Sequence, residues 1–176
     1  MLKQYFQLFE KALPLEFCDY LVKSIDWQEE AKVRRDGNIL EPESRISQIS
    51  WLETMSPIGC IAQSYILAAN ETWGYNLTNI EKVQMTKYAV NGHYNWHIDS
   101  FEPNEKNEQR KLSISILLND DFEGGGLEVQ TNTVQSVLKS KGDIVVFPSF
   151  LMHKVVPVTK GTRYTAVSWA YGPAFR

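Results

Sequence analysis

Eight short runs rich in β-branched and aromatic residues fill the chain from about Ile80 onward. Turn signals such as Gly124-Gly125-Gly126, Lys141-Gly142-Asp143 and Lys160-Gly161-Thr162 separate several of them. Many short strands with frequent turns are typical of a β-sandwich or jelly roll. The predicted strands are residues 83–90, 94–98, 112–118, 127–130, 136–138, 144–147, 153–158 and 163–171.

The first 79 residues show a helical period instead. Pro14 begins one predicted helix, in which apolar residues recur every four positions at Phe17, Leu21 and Ile25. Asp36-Gly37 predicts a two-residue turn inside a hairpin over residues 33–40.

A second predicted helix has clearer end signals. Ser56 is its N-cap, Pro57 its first residue and Gly74 its end. Its apolar stripe consists of Ile58, Ile61, Ala62, Tyr65 and Ala69.

These patterns predict a mainly β fold of the α+β class, in which N-terminal helices flank a double-stranded β-helix, or jelly-roll, core. A chain of 176 residues is within the usual size of one domain. We therefore predict a single domain over residues 1–176, with helical and hairpin support over about 1–79 and the jelly-roll core over about 80–172.

The charge and hydrophobicity of the chain limit the kinds of molecule that it is expected to bind. Eighteen Lys and Arg against 21 Asp and Glu give a net charge of −3, which argues against nucleic-acid binding through a basic surface. The longest apolar runs are far shorter than the roughly 20 residues that cross a bilayer, and the N-terminus lacks a secretory signal pattern. We predict a cytoplasmic protein that binds small molecules or proteins.

Cys18 and Cys60 lie in amphipathic helical patterns and are predicted to be buried thiols.

His97-Ile98-Asp99 follows an aromatic strand. Residues two apart on a strand point to the same face, with Cα atoms roughly 6.5–7 Å apart, so this imidazole and this carboxylate are placed to converge on one ion. His153, in a late strand, supplies a third candidate ligand. Two His and one carboxylate with open positions are typical of non-haem Fe(II) oxygenases. Taken alone, the same three residues also fit unrelated polar positions.

Arg163 begins the last predicted strand, ten residues after His153. An Arg on this strand can bind the carboxylate of a dicarboxylate co-substrate in a bidentate manner; the alternative is a salt bridge at the rim. By alternation Thr165, Val167 and Trp169 share its face. His93 has the parity of His97 but lies roughly 13 Å away along an extended chain, which excludes it as a ligand to the same ion.

At this point the chain resembles the Fe(II)/2-oxoglutarate-dependent dioxygenases, and within them the prolyl 4-hydroxylase branch. The matching segments extend along nearly the whole chain. They are Phe9-x3-Leu13-Pro14-x2-Phe17-Cys18, Arg45-x-Ser47, Trp51, Tyr88-x3-Gly92-x-Tyr94-x2-His97-x-Asp99, Arg110-x-Leu112-Ser113, Leu118-Asn119, Gly124-Gly125-Gly126-Leu127, Gly142-Asp143-x3-Phe147, His153, Arg163 and Trp169.

The resemblance implies that His97, Asp99 and His153 bind Fe(II) and that Arg163 holds the distal carboxylate of 2-oxoglutarate. The residues expected to line the co-substrate pocket are Tyr88, Thr165 and Trp169. The implied reaction uses O2, hydroxylates an unactivated C–H and releases succinate and CO2, with L-ascorbate as reductant. Leu117 departs from the pattern, because the hypoxia-responsive members carry a co-substrate-binding Tyr there.

The nearest resemblance implies hydroxylation at C4 of a prolyl residue in a peptide or protein. A free amino acid or another small molecule is an alternative substrate, and a non-catalytic jelly-roll binding module is an alternative function. The hairpin near residues 34–40 and the polar loop over residues 100–109 are candidates for segments that close over an extended substrate.

Overall fold

Two helices and a series of short strands make up the computed structural model, which describes residues 4–27, 29–30, 34–35, 38–39 and 44–175. The helices are α1 (Leu15–Ser24) and α2 (Pro57–Trp73). The strands of the described residues are β1 (Gln7–Phe9), β2 (Glu29–Glu30), β3 (Arg34–Arg35), β4 (Asn38–Ile39), β5 (Arg45–Ile46), β6 (Gln48–Leu52), β7 (Asn79–Ile80), β8 (Val83–Tyr88), β9 (His93–His97), β10 (Glu108–Leu117), β11 (Glu123–Gly124), β12 (Leu127–Gln130), β13 (Val134–Ser136), β14 (Ile144–Pro148), β15 (His153–Val155), β16 (Val158–Lys160) and β17 (Arg163–Pro173).

Two antiparallel sheets form the core of the fold. In the part of the chain that the structure describes, the larger sheet has the order β1-β14-β10-β17-β8-β6-β2, with β7 paired to β17. The smaller sheet has the order β13-β12-β15-β9-β5. This arrangement confirms the predicted mainly β, jelly-roll class. Strands β1, β5 and β6 come from the N-terminal third, so that third also contributes directly to both sheets, and the division into support and core stays a prediction.

Alternation along the larger sheet sorts its side chains into two cores. On β14, Ile144 and Val146 join the cluster that includes the helices, whereas Val145 and Phe147 join the cluster shared with the smaller sheet. Because both faces are covered, every residue of β14 is buried. This explains why the central strands read as continuous apolar runs. The functional side chains described below lie on the second face, between the sheets.

The helix α2 forms as the sequence predicts. The Ser56 side chain accepts a hydrogen bond from the Gly59 backbone N–H, Pro57 occupies the first turn, and Gly74 ends the helix with a φ of 67°. The predicted stripe faces the core. Cys18 on α1 is buried, but the prediction that Cys60 is buried is wrong: it lies on the face of α2 opposite the stripe and is exposed.

Strand bounds and loops differ from prediction in several places. β10 begins at Glu108, which shortens the predicted loop, and the run 153–158 divides into β15 and β16. Strands β3 and β4 pair as the predicted hairpin, while the turn at residues 36–37 lies outside the described residues. None of the helices in the described ranges is long and apolar enough to span a membrane.

The loop before β10 is hydrogen-bonded to the segment that follows β17. Asn104 Oδ1 accepts hydrogen bonds from the backbone N–H groups of Lys106 and Glu108, at 3.0 Å each. The Ala174 N–H donates to the Asn107 carbonyl at 2.9 Å, and the Gln109 side chain donates to the Phe101 carbonyl at 2.7 Å. This loop therefore has a defined internal structure.

Candidate metal centre and its pocket

His97, Asp99 and His153 meet between the two sheets. His97 is the last residue of β9, and His153 is the first residue of β15, the neighbouring strand, where the two stand directly opposite each other in register. Their ring centroids are 4.1 Å apart. Asp99 Oδ1 lies 3.7 Å from His97 Nε2, and its Oδ2 lies 3.4 Å from His153 Nε2.

Asp99 reaches this position by a route other than strand alternation. His97 and Asp99 do lie close together, but β9 ends at His97, so the predicted cause, alternation along one strand, is wrong. Instead, the backbone N–H groups of Asp99 and Ser100 donate to the Ser149 carbonyl, at 2.8 and 3.0 Å. This turn brings the carboxylate back over the imidazoles, and among the described residues these three are the only group with metal-ligand spacing.

The orientation of both imidazoles suits a metal ion. His97 Nδ1 lies 2.7 Å from the Asn95 carbonyl, and His153 Nδ1 lies 2.8 Å from the Leu151 carbonyl. A carbonyl only accepts hydrogen bonds, so each Nδ1 carries a proton and each neutral ring has its lone pair on Nε2, toward Asp99. Metal-binding His residues commonly use this backbone support. Three ligand atoms within 4.8 Å of one another therefore fit one divalent cation.

Electrostatics favour a charged Asp99 and a neutral His97. Burial lowers the pKa of His97 to about 4, and the neighbouring His153 acts in the same direction. Burial would raise the pKa of Asp99, but a His153 protonated on Nε2, through its charge and hydrogen bond, and His97 hold that pKa well below its usual range. Burial opposes a charged His153, yet Asp99 raises its pKa overall. The buried carboxylate thus attracts a proton or a cation to its His neighbours.

A bulge in β9 decides which aromatic side chain joins the site. His153 pairs with His97 and Val155 pairs with Tyr94, so β9 uses three residues where β15 uses two. Tyr94 consequently stacks on His97, with ring centroids 3.5 Å apart. The expectation that His93 shares the face of His97 is therefore wrong, although its exclusion from the ligand group holds.

Arg163 lines the same pocket as the triad. Its side chain is 2% exposed, its Nη2 has no hydrogen-bond partner, and none of the described carboxylates forms an ion pair with it. The guanidinium lies 5.5 Å from the ring centroid of Tyr88. Burial lowers its pKa to about 10, which leaves it charged at neutral pH. The alternative of a rim salt bridge is excluded for the described residues.

Gly125 makes room for this arginine. It has a φ of 62°, and a Cβ at this position would lie 3.1 Å from Arg163 Cδ. A side chain here would be strained and would press on the arginine. The predicted glycine turn therefore has a packing function beside the pocket.

The rest of the pocket follows the predicted alternation on β17. Arg163, Thr165, Val167 and Trp169 all line it, as does Tyr88 on β8. The buried indole N–H of Trp169 has no acceptor. Leu117 packs in the core between the sheets and is absent from the pocket lining. The pocket thus contains two polar groups, Arg163 Nη2 and the Trp169 indole N–H, that have no hydrogen-bond partner among the described residues.

Sequence reasoning gave no site role to Arg45 or Gln84, which also line the pocket. Arg45 donates to Gln84 Oε1 at 2.8 Å and to Ser47 Oγ at 2.9 Å, and its guanidinium lies 4.9 Å from the centre of the Tyr94 ring. The spacing Arg45-x-Ser47 could have predicted this contact, because side chains two residues apart on a strand point to the same face.

Comparison with known families decides the assignment. The model of the 2OG-Fe(II) oxygenase superfamily matches residues 83–171, which is half of the chain and contains the triad and Arg163. The chain belongs to the 2OG-Fe(II) oxygenase superfamily. Among relatives of this superfamily member, a PKHD-type hydroxylase of Pseudomonas fluorescens is 37% identical over 89 residues, which are 47% of this chain and 39% of that protein. The match spans only about two fifths of the length of such hydroxylases.

Solved structures show that this oxygenase has the prolyl hydroxylase fold. A prolyl-4-hydroxylase of Pseudomonas putida superposes with a TM-score of 0.74 at 19% identity, over 96% of this chain and 93% of that one. A Trichoplax adhaerens prolyl hydroxylase, in complex with a peptide fragment of hypoxia inducible factor, superposes with a TM-score of 0.70 at 20% identity, over 96% and 84% of the two chains.

Proposed function

We propose that this chain is a Fe(II)- and 2-oxoglutarate-dependent dioxygenase that hydroxylates an unactivated C–H, at C4 of a prolyl residue in a peptide or protein. One oxygen atom of O2 enters the product, and the other enters the succinate formed with CO2 from 2-oxoglutarate. L-ascorbate serves as the reductant that maintains Fe(II), and the cytoplasm is the proposed compartment.

His97, Asp99 and His153 are the proposed iron ligands. Each imidazole is held by a backbone carbonyl with its Nε2 toward the carboxylate. When bound, iron supplies the redox chemistry that activates O2. The protein's residues fix the ligand geometry and keep water away from it, since Asp99 and His153 are 6% and 5% exposed.

The observation that carries the proposal is Arg163, a buried cation with no anionic partner beside this triad. An isolated buried charge costs several kcal/mol, so a folded chain that retains one is expected to bind an anion there. The distal carboxylate of 2-oxoglutarate provides two oxygens that match a guanidinium. Thr165 and Tyr88 line the proposed co-substrate pocket beside it, and Trp169 offers its unpaired indole N–H toward the same space.

The peptide substrate is supported by the structural neighbours. The Trichoplax adhaerens protein is a prolyl hydroxylase in complex with a peptide fragment, and this chain shares its fold. Arg45, Tyr94 and Trp169 line the same pocket as the triad and give it a mixed cationic and aromatic wall. Such a wall suits a backbone carbonyl and a proline ring.

The test measures succinate formed from 2-oxoglutarate under air with Fe(II) and ascorbate. Wild type is compared with His97→Ala, Arg163→Ala and, as a control, Lys160→Ala, whose side chain only pairs with exposed Glu123. We expect no turnover with His97→Ala and no change with Lys160→Ala. With Arg163→Ala we expect half-maximal turnover to need at least tenfold more 2-oxoglutarate, which corresponds to a loss of about 1.4 kcal/mol or more in binding free energy.

Substrate class is tested by mass spectrometry on a proline-rich peptide, the same peptide with alanine in place of proline, and free L-proline. The prolyl proposal requires a gain of one oxygen atom mapped to proline in the first peptide. Oxygen mapped to another residue, or product from free proline alone, rejects the peptidyl-prolyl substrate. If anaerobic binding of Fe(II) and 2-oxoglutarate is absent as well, the enzyme proposal fails and a binding module becomes the better description.

A further inference from the structure

Two serines stand behind the Asp99 carboxylate. Ser113 on β10 donates its hydroxyl to Asp99 Oδ2 at 2.7 Å, and Ser149, which follows β14, lies with its Oγ 2.9 Å from Ser113 Oγ. Both are buried, at 1% and 0% exposure. Ser113 lies on β10, and Ser149 directly follows β14, the strand that pairs with β10 in the larger sheet. The hydrogen-bonded series Ser149, Ser113, Asp99 therefore lies at the ends of β14 and β9 and against the central strand β10.

The direction of these hydrogen bonds follows from the proton count. An ionised carboxylate only accepts, so Ser113 must give Asp99 its single hydroxyl proton. The Ser113 oxygen then accepts the proton of Ser149. Each hydroxyl is satisfied in one order only, from Ser149 through Ser113 to Asp99 Oδ2. The other carboxylate oxygen, Oδ1, faces His97 Nε2, and Oδ2 also lies 3.4 Å from His153 Nε2.

Ser149 also fixes the backbone that carries the carboxylate. Its carbonyl accepts the N–H groups of Asp99 and Ser100, and its own N–H donates to the Lys111 carbonyl at 2.9 Å. Asp99 lies beyond the end of β9 and has no strand partner to orient it. The Ser149 carbonyl thus contacts Asp99 directly, whereas the Ser149 hydroxyl contacts Ser113.

We propose that Ser113 and Ser149 are positioning residues that fix the rotation of the Asp99 carboxylate, so that Oδ1 faces His97 Nε2 while Oδ2, held by the Ser113 hydroxyl, faces His153 Nε2. The inference rests on the proposed function, since it concerns how this chain holds the iron. Ser113 acts on Asp99 directly, and the Ser149 hydroxyl acts through Ser113. Groups that orient metal ligands commonly change metal affinity by about 10–100-fold when removed.

The test is a Co(II) titration of the full chain, followed by visible absorption and by competition with a chelator. We expect Ser113→Ala to weaken Co(II) binding by about 10–100-fold and to change the d–d bands, because the carboxylate is free to rotate. Ser113→Thr keeps the hydroxyl and is expected to restore most of the affinity. Ser168→Ala is the matched control, because Ser168 is a buried serine on β17 whose hydroxyl donates to the Glu81 carbonyl.

The double variant separates this role from simple packing. Because the Ser149 hydroxyl acts through Ser113, Ser149→Ala should weaken binding less than Ser113→Ala, and the pair should bind no more weakly than Ser113→Ala alone. Additive losses, or a Ser113→Ala chain with wild-type affinity and spectrum, overturn the inference. If Ser113→Ala does not fold, the test rests on Ser149→Ala, and wild-type affinity and spectrum in that variant overturn the inference.

The outcomes also separate this inference from the proposed function. A wild-type chain that binds neither Co(II) nor Fe(II) overturns both. A wild-type chain that binds the metal and turns over 2-oxoglutarate, combined with unchanged binding in Ser113→Ala and Ser149→Ala, overturns only the positioning role.

Discussion

Arg163 is unusual as a single residue, because its buried guanidinium has no anionic partner among the residues that the structure describes. Breaking a buried ion pair is costly, whereas removing an unpaired buried charge relieves a desolvation cost. The same side chain that would bind a dicarboxylate therefore destabilises the chain when no ligand is bound. Function and stability make opposite demands on this position.

Arg163→Met is expected to stabilise the ligand-free chain by about 1–3 kcal/mol, because it keeps most of the side-chain volume and removes the unpaired charge. Each kcal/mol raises the melting temperature of a chain of this size by about 2–4 °C. The variant should show no further rise with 2-oxoglutarate, unlike wild type. Arg110→Met is the control with the opposite sign, because Arg110 is paired with Glu81 at 2.5 and 2.8 Å. A destabilised ligand-free Arg163→Met chain would contradict the argument.

The two cysteines are expected to differ in reactivity. Burial raises the pKa of Cys18 to about 11, while Cys60 is exposed. At pH 8 only about one Cys18 thiol in a thousand is ionised, and the thiolate is the reactive form. A thiol reagent at pH 8 should therefore label one cysteine in the native chain and two after denaturation. Fast labelling of a Cys60→Ser chain would refute this expectation.

The pH dependence of Cys18 has a definite sign. Above its ordinary pKa of 9.0 the thiol ionises in the unfolded chain, while the folded chain keeps it protonated to about 11. The unfolded state therefore binds fewer protons in that interval, and the contribution of Cys18 to stability falls as the pH rises from 9 to 11.

At the scale of elements, the ends of α2 were predictable and the strand irregularities were not. A serine cap, a proline in the first turn and a terminal glycine act locally, and so they are visible in the sequence. The bulge in β9 depends on how β9 and β15 align, which no local pattern encodes. That bulge brings Tyr94 rather than His93 to the metal centre. Asp99 likewise reaches its place through Ser149, which is distant in sequence.

Ser56→Ala is expected to lower the free energy of unfolding by about 1 kcal/mol, because the Gly59 N–H loses its acceptor at the start of α2. Urea denaturation measures the change. Ser64→Ala is the control on the same helix. The exposed Ser64 hydroxyl donates a hydrogen bond to the Cys60 carbonyl, and alanine is the better helix former. Equal losses for both variants would show that the cap is not the cause.

At the scale of the whole molecule, residues far apart in sequence form most of the sheet neighbours. β1 pairs with β14, joining residues 7–9 to residues 144–146, and β6 pairs with β8 across the whole of α2. The sequence predicted the jelly-roll class from the number and spacing of strands. The order of the strands in each sheet could not be predicted from the sequence, because that order depends on which apolar faces pack together.

We expect slow folding as a consequence of these distant pairings. Chains dominated by non-local antiparallel pairing fold in milliseconds to seconds, because long loops must close before their contacts form. Stopped-flow refolding, followed by the fluorescence of the five Trp residues, measures the rate. Complete refolding within microseconds would contradict the expectation.

The direct pairing of His97 with His153 limits how this chain can change in length during evolution. One residue inserted into or deleted from β9 shifts its pairing with β15 by one position, and so would turn the imidazole of His97 away from that of His153. The turn between β12 and β13 carries no such constraint. Insertions and deletions among descendants of this sequence should therefore collect in the turns, while the spacing from Tyr94 to Asp99 stays constant.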